Sequence, residues 1–149
     1  MTRLACRNLR RAGHWQEADD RVCLDYDTRF LRRKVLSTET GCKFVVDLEQ
    51  TTSLDHGDAF ELDDGRLVAV VAAPEELLEI TGPDLTRLAW HIGNRHTPCQ
   101  IEPDRLVIQR DHVLRKMLEQ LGASLRDVVE PFAPEGGAYG HGRTHGHAH

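Results

Sequence analysis

Four of the nine histidines in the chain lie within its last nine residues, HGRTHGHAH: they are His141, His145, His147 and His149. A neutral imidazole is the commonest protein ligand for borderline transition metals near physiological pH. The glycine and alanine residues between the rings allow the backbone to bring several rings to one ion. A purification tag or a solvated tail without a role are the alternatives, but tags are usually unbroken histidine runs. The composition therefore predicts a metal-binding tail.

A histidine in the folded part of the chain, His96, is a second kind of candidate ligand. It falls four residues after Ile92, at the end of an apolar helical stripe, although Gly93 and Asn94 indicate that the helix is ending there. In that position a histidine is more often a packing residue than a ligand. One imidazole cannot hold a divalent ion tightly, but a two-fold dimer would bring the same residue from both chains together, and the tail could add further ligands.

His112 follows Asp111 at the start of a predicted helix. The positive end of the helix dipole keeps an imidazole there neutral and available to a metal. Asp111 could hydrogen-bond this ring and orient it without itself binding the metal. Alternatively, Asp111 caps the helix, which would leave His112 a solvated first-turn residue. His91 is expected on the polar side of its helix, where it could join an auxiliary site.

The cysteine spacing and the missing catalytic motifs argue against a zinc ribbon, a redox site and an enzyme. Four cysteines at positions 6, 23, 42 and 99 form no C-x-x-C pair, so we expect free thiols rather than a zinc ribbon or a redox motif. Cys99, three residues after His96, is a minor candidate as an accessory ligand. The chain has no H-E-x-x-H, G-x-S-x-G, Walker or G-x-G-x-x-G pattern, so an enzyme is not predicted.

The length, net charge and hydropathy of the chain limit the classes of function it can have. A chain of 149 residues and 16.9 kDa suits one domain or two small ones. Its net charge of −5 argues against general nucleic-acid binding, which needs a basic face. There is no apolar stretch long enough to span a membrane and no secretory signal, so a cytoplasmic protein without a membrane partner is expected.

The elements that must position these histidines follow from hydrophobic periodicity and turn residues. The first half predicts short strands, with a tight Asp-Asp-Gly turn at residues 63–65. The strand candidates are Val22–Tyr26, Lys43–Leu48, Ala59–Leu62 and Arg66–Ala72. The basic run Arg29–Lys34 is interpreted as a solvated edge strand, with an acidic partner surface as the alternative. Residues 1–73 are therefore expected to form a β-rich domain.

The second half changes to a β-α-β-β-α-β order, which is typical of a ferredoxin-like unit. Pro83 and Asp84 open the first helix, whereas Asp111 and Gly122 bound the second. The strand candidates are residues 74–80, which could also form a helical turn, and residues 99–102, 106–109 and 127–132. The overall prediction is an α+β protein with a ferredoxin-like domain over residues 74–134. Residues 135–149 are too rich in Gly and His to form a core and should be a disordered tail.

Three segments of the C-terminal half resemble the family of urease accessory proteins called UreE. They are W-H-I-G-N-R-H at residues 90–96, D-H-V-L at residues 111–114, and P-F-A-P-E-G-G-A-Y-G at residues 131–140, which runs into the histidine tract. The resemblance covers most of the C-terminal half, whereas the N-terminal half is similar only in its β character and position.

The resemblance implies a nickel metallochaperone that carries and donates Ni(II) for assembly of the urease active site. It implies an N-terminal domain similar to the peptide-binding fold of Hsp40-type chaperones and a homodimer in which His96 of each subunit binds an interfacial nickel. The tail histidines would complete or supplement that site. His112 stands where some members have a peripheral metal-binding histidine, but Arg110 replaces a second one. The implied partners are the urease apoprotein complex and the accessory GTPase that receives nickel.

Ligand chemistry by itself does not select nickel. Histidine sites bind Cu(II) more tightly than Ni(II), and Zn(II) also competes, so both metals should bind in vitro. Two alternatives stay open: a peptide-binding co-chaperone whose metal site is only regulatory, and a metal storage protein in which the tail is the whole function.

Overall fold

The computed structural model describes residues 4–136, which divide into two compact units between Ala73 and Pro74. The architecture is mixed α+β, with strands predominating and two α-helices in the described range, as the sequence predicts. The tail histidines His141, His145, His147 and His149 lie outside the described residues. Neither helix of the described range has the length and apolar character needed to cross a membrane.

The first unit is a six-stranded sheet with the strand order β2-β6-β5-β1-β4-β3. Apolar side chains of these strands, among them the fully buried Phe44 and Phe60, form its core. The central position of β1 was not predicted, because four arginines in and next to this segment interrupt its apolar pattern. The strands are β1 Leu4–Arg10, β2 Asp20–Leu24, β3 Phe30–Ser37, β4 Lys43–Ser53, β5 Ala59–Leu62 and β6 Leu67–Ala72.

Two local predictions for this unit are confirmed. β5 and β6 form an antiparallel hairpin, in which Gly65 has a φ of 88° and its amide donates to the Leu62 carbonyl. Residues 30–34 of the basic run lie in β3, at the edge of the sheet, with Arg32, Arg33 and Lys34 exposed. The solvated edge strand is thus confirmed for these residues. Arg29 departs from the prediction: it precedes β3, is buried, and donates to the carbonyl oxygen of Leu24.

The second unit has four antiparallel strands in the order β10-β7-β9-β8 and two helices. Residues 74–80, for which a helical turn was the alternative, are a strand. The last strand begins three residues earlier than predicted, and Phe132 lies beyond its end. The elements are β7 Pro74–Thr81, α1 Leu85–Asn94, β8 Gln100–Ile101, β9 Leu106–Gln109, α2 His112–Gln120 and β10 Ser124–Pro131.

Both helices pack on one face of this sheet. The buried residues are Leu78, Ile80, Leu88, Ile92, Leu106, Ile108, Leu114 and Leu118. Asp84 is the N-cap of α1, where its carboxylate accepts from the amide of Arg87 at 3.1 Å. Pro83 therefore precedes the cap instead of occupying the first turn, where the sequence had placed it. The caps fix where each helix begins, and the apolar stripes fix which face is buried.

Arg105 connects strands on the other face of the second sheet. Its guanidinium lies 3.0 Å from Glu79 of β7 and 2.6 Å from Glu130 of β10, and it also bonds Glu102 just after β8. Arg126 and Arg105 hold the pKa of Glu79 below its usual value, and Arg105 does the same for Glu102. Half-buried and shared among three carboxylates, this arginine ties together strands that are distant in sequence.

Candidate metal centre

His96 lies in the turn that ends α1. The helix stops at Asn94, Arg95 is its C-cap, and His96 follows with a φ of 56°. The amide of His96 donates to the carbonyl oxygen of Gly93 at 3.0 Å, and the amide of Thr97 donates to that of Ile92 at 3.5 Å. These two bonds and the left-handed residue are the features of a Schellman ending, which usually places glycine at this position.

The helical projection that placed His96 on the apolar stripe is therefore wrong. The helix ends two residues earlier, and the left-handed backbone sends the side chain in a direction that the helical period does not predict. Among the non-glycine residues of the described range, His96 alone has a positive φ. This conformation costs about 1 kcal/mol for an L-residue. Such strained residues cluster at functional sites, so the backbone gives a reason to place function here.

Two neighbouring residues in the C-terminal half of α1, Trp90 and His91, have aromatic rings in contact. Trp90 is 63% exposed, and its ring meets that of His91 edge to face with centroids 5.0 Å apart. His91 was expected to be exposed on the polar side of the helix, but it is half-buried. The exposed tryptophan gives the C-terminal half of α1 a large apolar side chain at its surface.

His112 is the exposed first residue of α2. One carboxylate oxygen of Asp111 accepts from the amides of Val113 and Leu114, at 2.9 and 3.1 Å. Of the two roles considered for Asp111, the structure shows the helix cap. Whether His112 binds metal stays a prediction, since an exposed imidazole at a helix N-terminus is available but supplies only one ligand.

Arg110 occupies the place where the resemblance suggests a second peripheral histidine. Its guanidinium donates to the carbonyl oxygens of Leu77 and Val128, at 3.1 and 3.2 Å, and approaches Asp127 at 3.8 Å. The side chain therefore braces β7 and β10. A fixed positive charge two residues before His112 opposes the binding of a divalent cation there.

Cys99 is unsuited to the accessory role considered for it. Burial raises the pKa of its thiol to about 11, so the side chain is protonated at neutral pH. A metal ligand must be a thiolate, which makes binding at this position costly. All four cysteines are free thiols, as expected, although Cys23 is exposed.

The root of the tail lies close to His96, which the sequence did not reveal. The amide of Glu135 donates to the carbonyl oxygen of Cys99 at 2.9 Å. Cys99 is three residues from His96, at most about 11 Å.

The described residues do not contain a closed ligand set. Within residues 4–136, no three histidine, cysteine, aspartate or glutamate side chains form a group that could hold a metal ion. The structure places His96 after the end of α1 and His112 at the start of α2, as two histidines on different elements.

Comparison with known proteins gives matches to both units. The family model described as UreE urease accessory protein, N-terminal domain, matches residues 4–73, and the model for the C-terminal domain matches residues 75–149.

Similar proteins share the sequence almost end to end. The urease accessory protein UreE of Ruegeria pomeroyi is 74% identical over 145 residues, covering 97% of both chains. The protein of the same name from Ruegeria sp. strain TM1040 is 64% identical over 96% of this chain and 81% of the relative. That of Cereibacter sphaeroides is 65% identical over 96% of this chain and 79% of the relative.

Proposed function

The chain belongs to the UreE family of urease accessory proteins, and from this premise we propose that it is a metallochaperone that binds Ni(II) and donates it for assembly of the urease active site. As a urease accessory protein it supports urease maturation and is not itself the enzyme. Its partners in the proposal are the urease apoprotein and the accessory GTPase that receives nickel.

One observation carries the proposal: an imidazole lies in a left-handed turn, and the root of a histidine-rich tail is hydrogen-bonded to Cys99, three residues further along the chain. His96 supplies one fixed ligand, and the amide of Glu135 on the carbonyl of Cys99 brings the tail within reach. Transition-metal sites usually need about three or four protein ligands. The second His96 of a homodimer and the tail histidines would provide the others.

The dimer part of the proposal rests on position and exposure. A two-fold axis near His96 would bring two equivalent imidazoles to one ion, and the exposed Trp90 of the same helix offers apolar surface for the contact. The unit that carries this surface has a β-α-β-β-α-β order and the strand order β10-β7-β9-β8, which supports a ferredoxin-like fold. For the first unit, we propose the Hsp40-like peptide-binding fold that the resemblance implies.

A carrier must also release its ion. Imidazoles from a tail can leave one at a time, whereas a closed cage of fixed ligands would release slowly. Because histidine sites do not distinguish strongly among divalent metals, Cu(II) and Zn(II) should compete with Ni(II) in vitro. Nickel as cargo therefore rests on family membership rather than on the ligand set.

The test is calorimetric titration of nickel into the full chain and into His96→Ala, with His14→Ala as the matched control. His14 is an exposed histidine of the first unit, so its loss should leave binding unchanged. We expect His96→Ala to abolish the tightest site and to stop nickel transfer to purified GTPase. An unchanged tightest site in His96→Ala would overturn the central assignment.

The same measurements separate the alternatives. A storage protein would bind well over one ion per dimer and would transfer none to the GTPase. A co-chaperone with a regulatory metal site would still support urease activation after His96→Ala. Either result would replace the carrier proposal.

A further inference from the structure

Residues 32–35 of β3, which we call the basic edge, lie at the border of the first sheet. β3 pairs with β4 on one side, and no other strand within residues 4–136 pairs with it. A strand in this position presents backbone N–H and C=O groups on which a further strand can be added. The side chains of the basic edge are all exposed; they are Arg32, Arg33, Lys34 and Val35.

The positive charge of the basic edge is not balanced by ion pairs in the described part of the chain. Other arginines of the first unit pair with carboxylates at N···O distances of 2.8–3.5 Å; the pairs are Arg7–Asp63, Arg10–Glu61, Arg11–Asp58, Arg21–Glu39 and Arg66–Asp64. Arg32 instead donates from Nε to the carbonyl oxygen of Leu48 at 3.3 Å. The first unit thus compensates most of its arginines internally and concentrates uncompensated charge on β3.

Asp47 and Asp25 approach the basic edge, but neither forms an ion pair with it in the described range. Asp47 lies opposite Arg33 in the register of β3 and β4. The pKa of Asp25 is lowered chiefly by hydrogen bonds from Thr28 and only lastly by Lys34. In a chain with a net charge of −5, three neighbouring cations without ion pairs form a local positive surface that is complementary to an acidic partner.

An apolar side chain lies on the solvent face of the sheet beside these charges. Val35 is paired in register with Val45, and paired residues on neighbouring strands share a face. This face is opposite the core, because Phe44 and Val46, on either side of Val45, are core residues. Val35 is 45% exposed, and Arg33, two residues earlier, shares its face. The basic edge therefore combines charge, an apolar contact and free strand-pairing groups.

We propose that the basic edge binds an acidic, extended segment of a partner protein, which adds a strand beside β3. Backbone pairing would hold the segment, its carboxylates would meet the three cations, and an apolar side chain would contact Val35. A second copy of this chain does not fit, because two basic edges would face each other. The surface contains neither His96 nor His112, so the inference goes beyond the proposed nickel-carrier function.

The first test is an NMR titration of the full chain, without metal, with a capped eight-residue peptide. Valine stands at every third position of the peptide and glutamate elsewhere. Binding should shift the amide signals of residues 30–37 and slow their hydrogen exchange, and it should weaken as salt is added. If the peptide does not bind, the charges only keep edges of neighbouring molecules apart, and the proposal falls.

Two matched peptides separate charge from strand pairing. Replacing glutamate by glutamine removes the charge, whereas replacing valine by proline keeps the charge but removes backbone donors. Each change should weaken binding about ten-fold or more. Equal binding of the glutamine peptide would refute the role of the cations. Equal binding of the proline peptide would show that the surface senses charge alone and would overturn strand addition.

The second test reverses the charge of the surface. Arg33→Glu with Lys34→Glu should weaken the acidic peptide about ten-fold or more and should create binding of the same peptide with lysine in place of glutamate. Arg87→Glu with Lys116→Glu is the matched control, because it changes the net charge equally at two exposed cations of the second unit. Equal weakening by both double variants would assign the effect to overall charge and would overturn the proposal.

Other anionic partners are tested under the same conditions. A DNA duplex and vesicles of phosphatidylglycerol offer negative charge without a strand to pair, so both should bind more weakly than the acidic peptide. Tighter binding of either would replace the proposed partner. Because no metal is present in these titrations, their failure leaves the nickel-carrier proposal intact, and a failed nickel titration leaves the basic edge as proposed.

Discussion

His96 and Gly122 occupy the same position in the endings of the two helices. Each follows the C-cap residue with a positive φ, 56° for His96 and 87° for Gly122. Each amide donates to the carbonyl three residues before it, Gly93 or Glu119, at 3.0 Å in both cases. The chain thus uses glycine where the turn has only a structural role and histidine where we place a metal ligand.

This equivalence predicts opposite effects on stability and metal binding. Because glycine adopts the left-handed conformation without strain, His96→Gly should raise the free energy of unfolding by about 0.5–1 kcal/mol in chelator-treated protein. His96→Ala should give no such gain, since alanine keeps the strained conformation. Both variants should lose the tightest nickel site. Urea unfolding and nickel titration on the two variants check this; a His96→Gly protein less stable than His96→Ala would refute the strain argument.

Removal of the tail should weaken metal binding without dissociating the dimer. A chain cut after Gly140 lacks His141, His145, His147 and His149 but retains His96. We expect a lower nickel affinity or fewer ions per dimer, because ligands are lost while the fixed imidazole pair stays. Titration calorimetry and analytical ultracentrifugation measure the two quantities. A monomeric product would show that the tail, and not the helix end, holds the dimer together.

His112→Ala should leave the tightest site unchanged and lower only the number of ions bound at high nickel. The reason is that His112 is a single exposed ligand beside the positive charge of Arg110. Arg110→His should add a weak peripheral site and lower the free energy of unfolding by about 1–3 kcal/mol, because the bonds to Leu77 and Val128 are lost. Titration and urea unfolding test both; a weaker tightest site in His112→Ala would place His112 in the main centre.

The stability of the protein should fall in alkali partly because of Cys99. Burial raises the pKa of this thiol from 9.0 to about 11 in the folded state. The unfolded chain therefore loses its proton first, so stability is retained below pH 9 and is lost as the pH rises toward 11. Cys99→Ala should reduce the slope of unfolding free energy between pH 8 and 10 and leave nickel affinity unchanged. An identical slope would mean that the thiol is not buried.

Arg105→Met should make the second unit less stable and less sensitive to acid. Arg126 and Arg105 lower the pKa of Glu79, and Arg105 lowers that of Glu102, so the contribution of both carboxylates is present above their unfolded pKa and is lost as the pH falls below about 4.5. We expect a loss of about 1–3 kcal/mol at pH 7 and a flatter profile between pH 5 and 3. Urea unfolding across that range measures both, with the exposed Arg87→Met as control.

Local signals in the sequence located many elements correctly. Asp111 and Gly122 bound α2 as predicted, because a cap and a left-handed glycine act within a few residues. The same applies to the Asp-Asp-Gly hairpin and to the helix that ends near Asn94. By contrast, β1 was missed, because its place depends on pairing of Leu4 with Phe44, forty residues later.

For the candidate site, too, the sequence predicted some features and missed others. The sequence supplied the ligand chemistry: a histidine tract, a histidine at a helix end and the family motifs around it. It did not supply the conformation of His96, because a helical projection cannot follow the chain through a left-handed residue. The bond from the Ala133 amide to the Gln100 side chain was also missed, since it joins residues 33 positions apart.

The sequence by itself therefore determined which side chains could bind a metal and where the local elements begin and end, because these depend on side-chain chemistry and on interactions between near neighbours. Only the tertiary structure decided how His96 is presented and at which edge of the sheet the tail starts. Both depend on a chain that turns back on itself and on hydrogen bonds between distant residues, and no local pattern encodes the partner of such a bond.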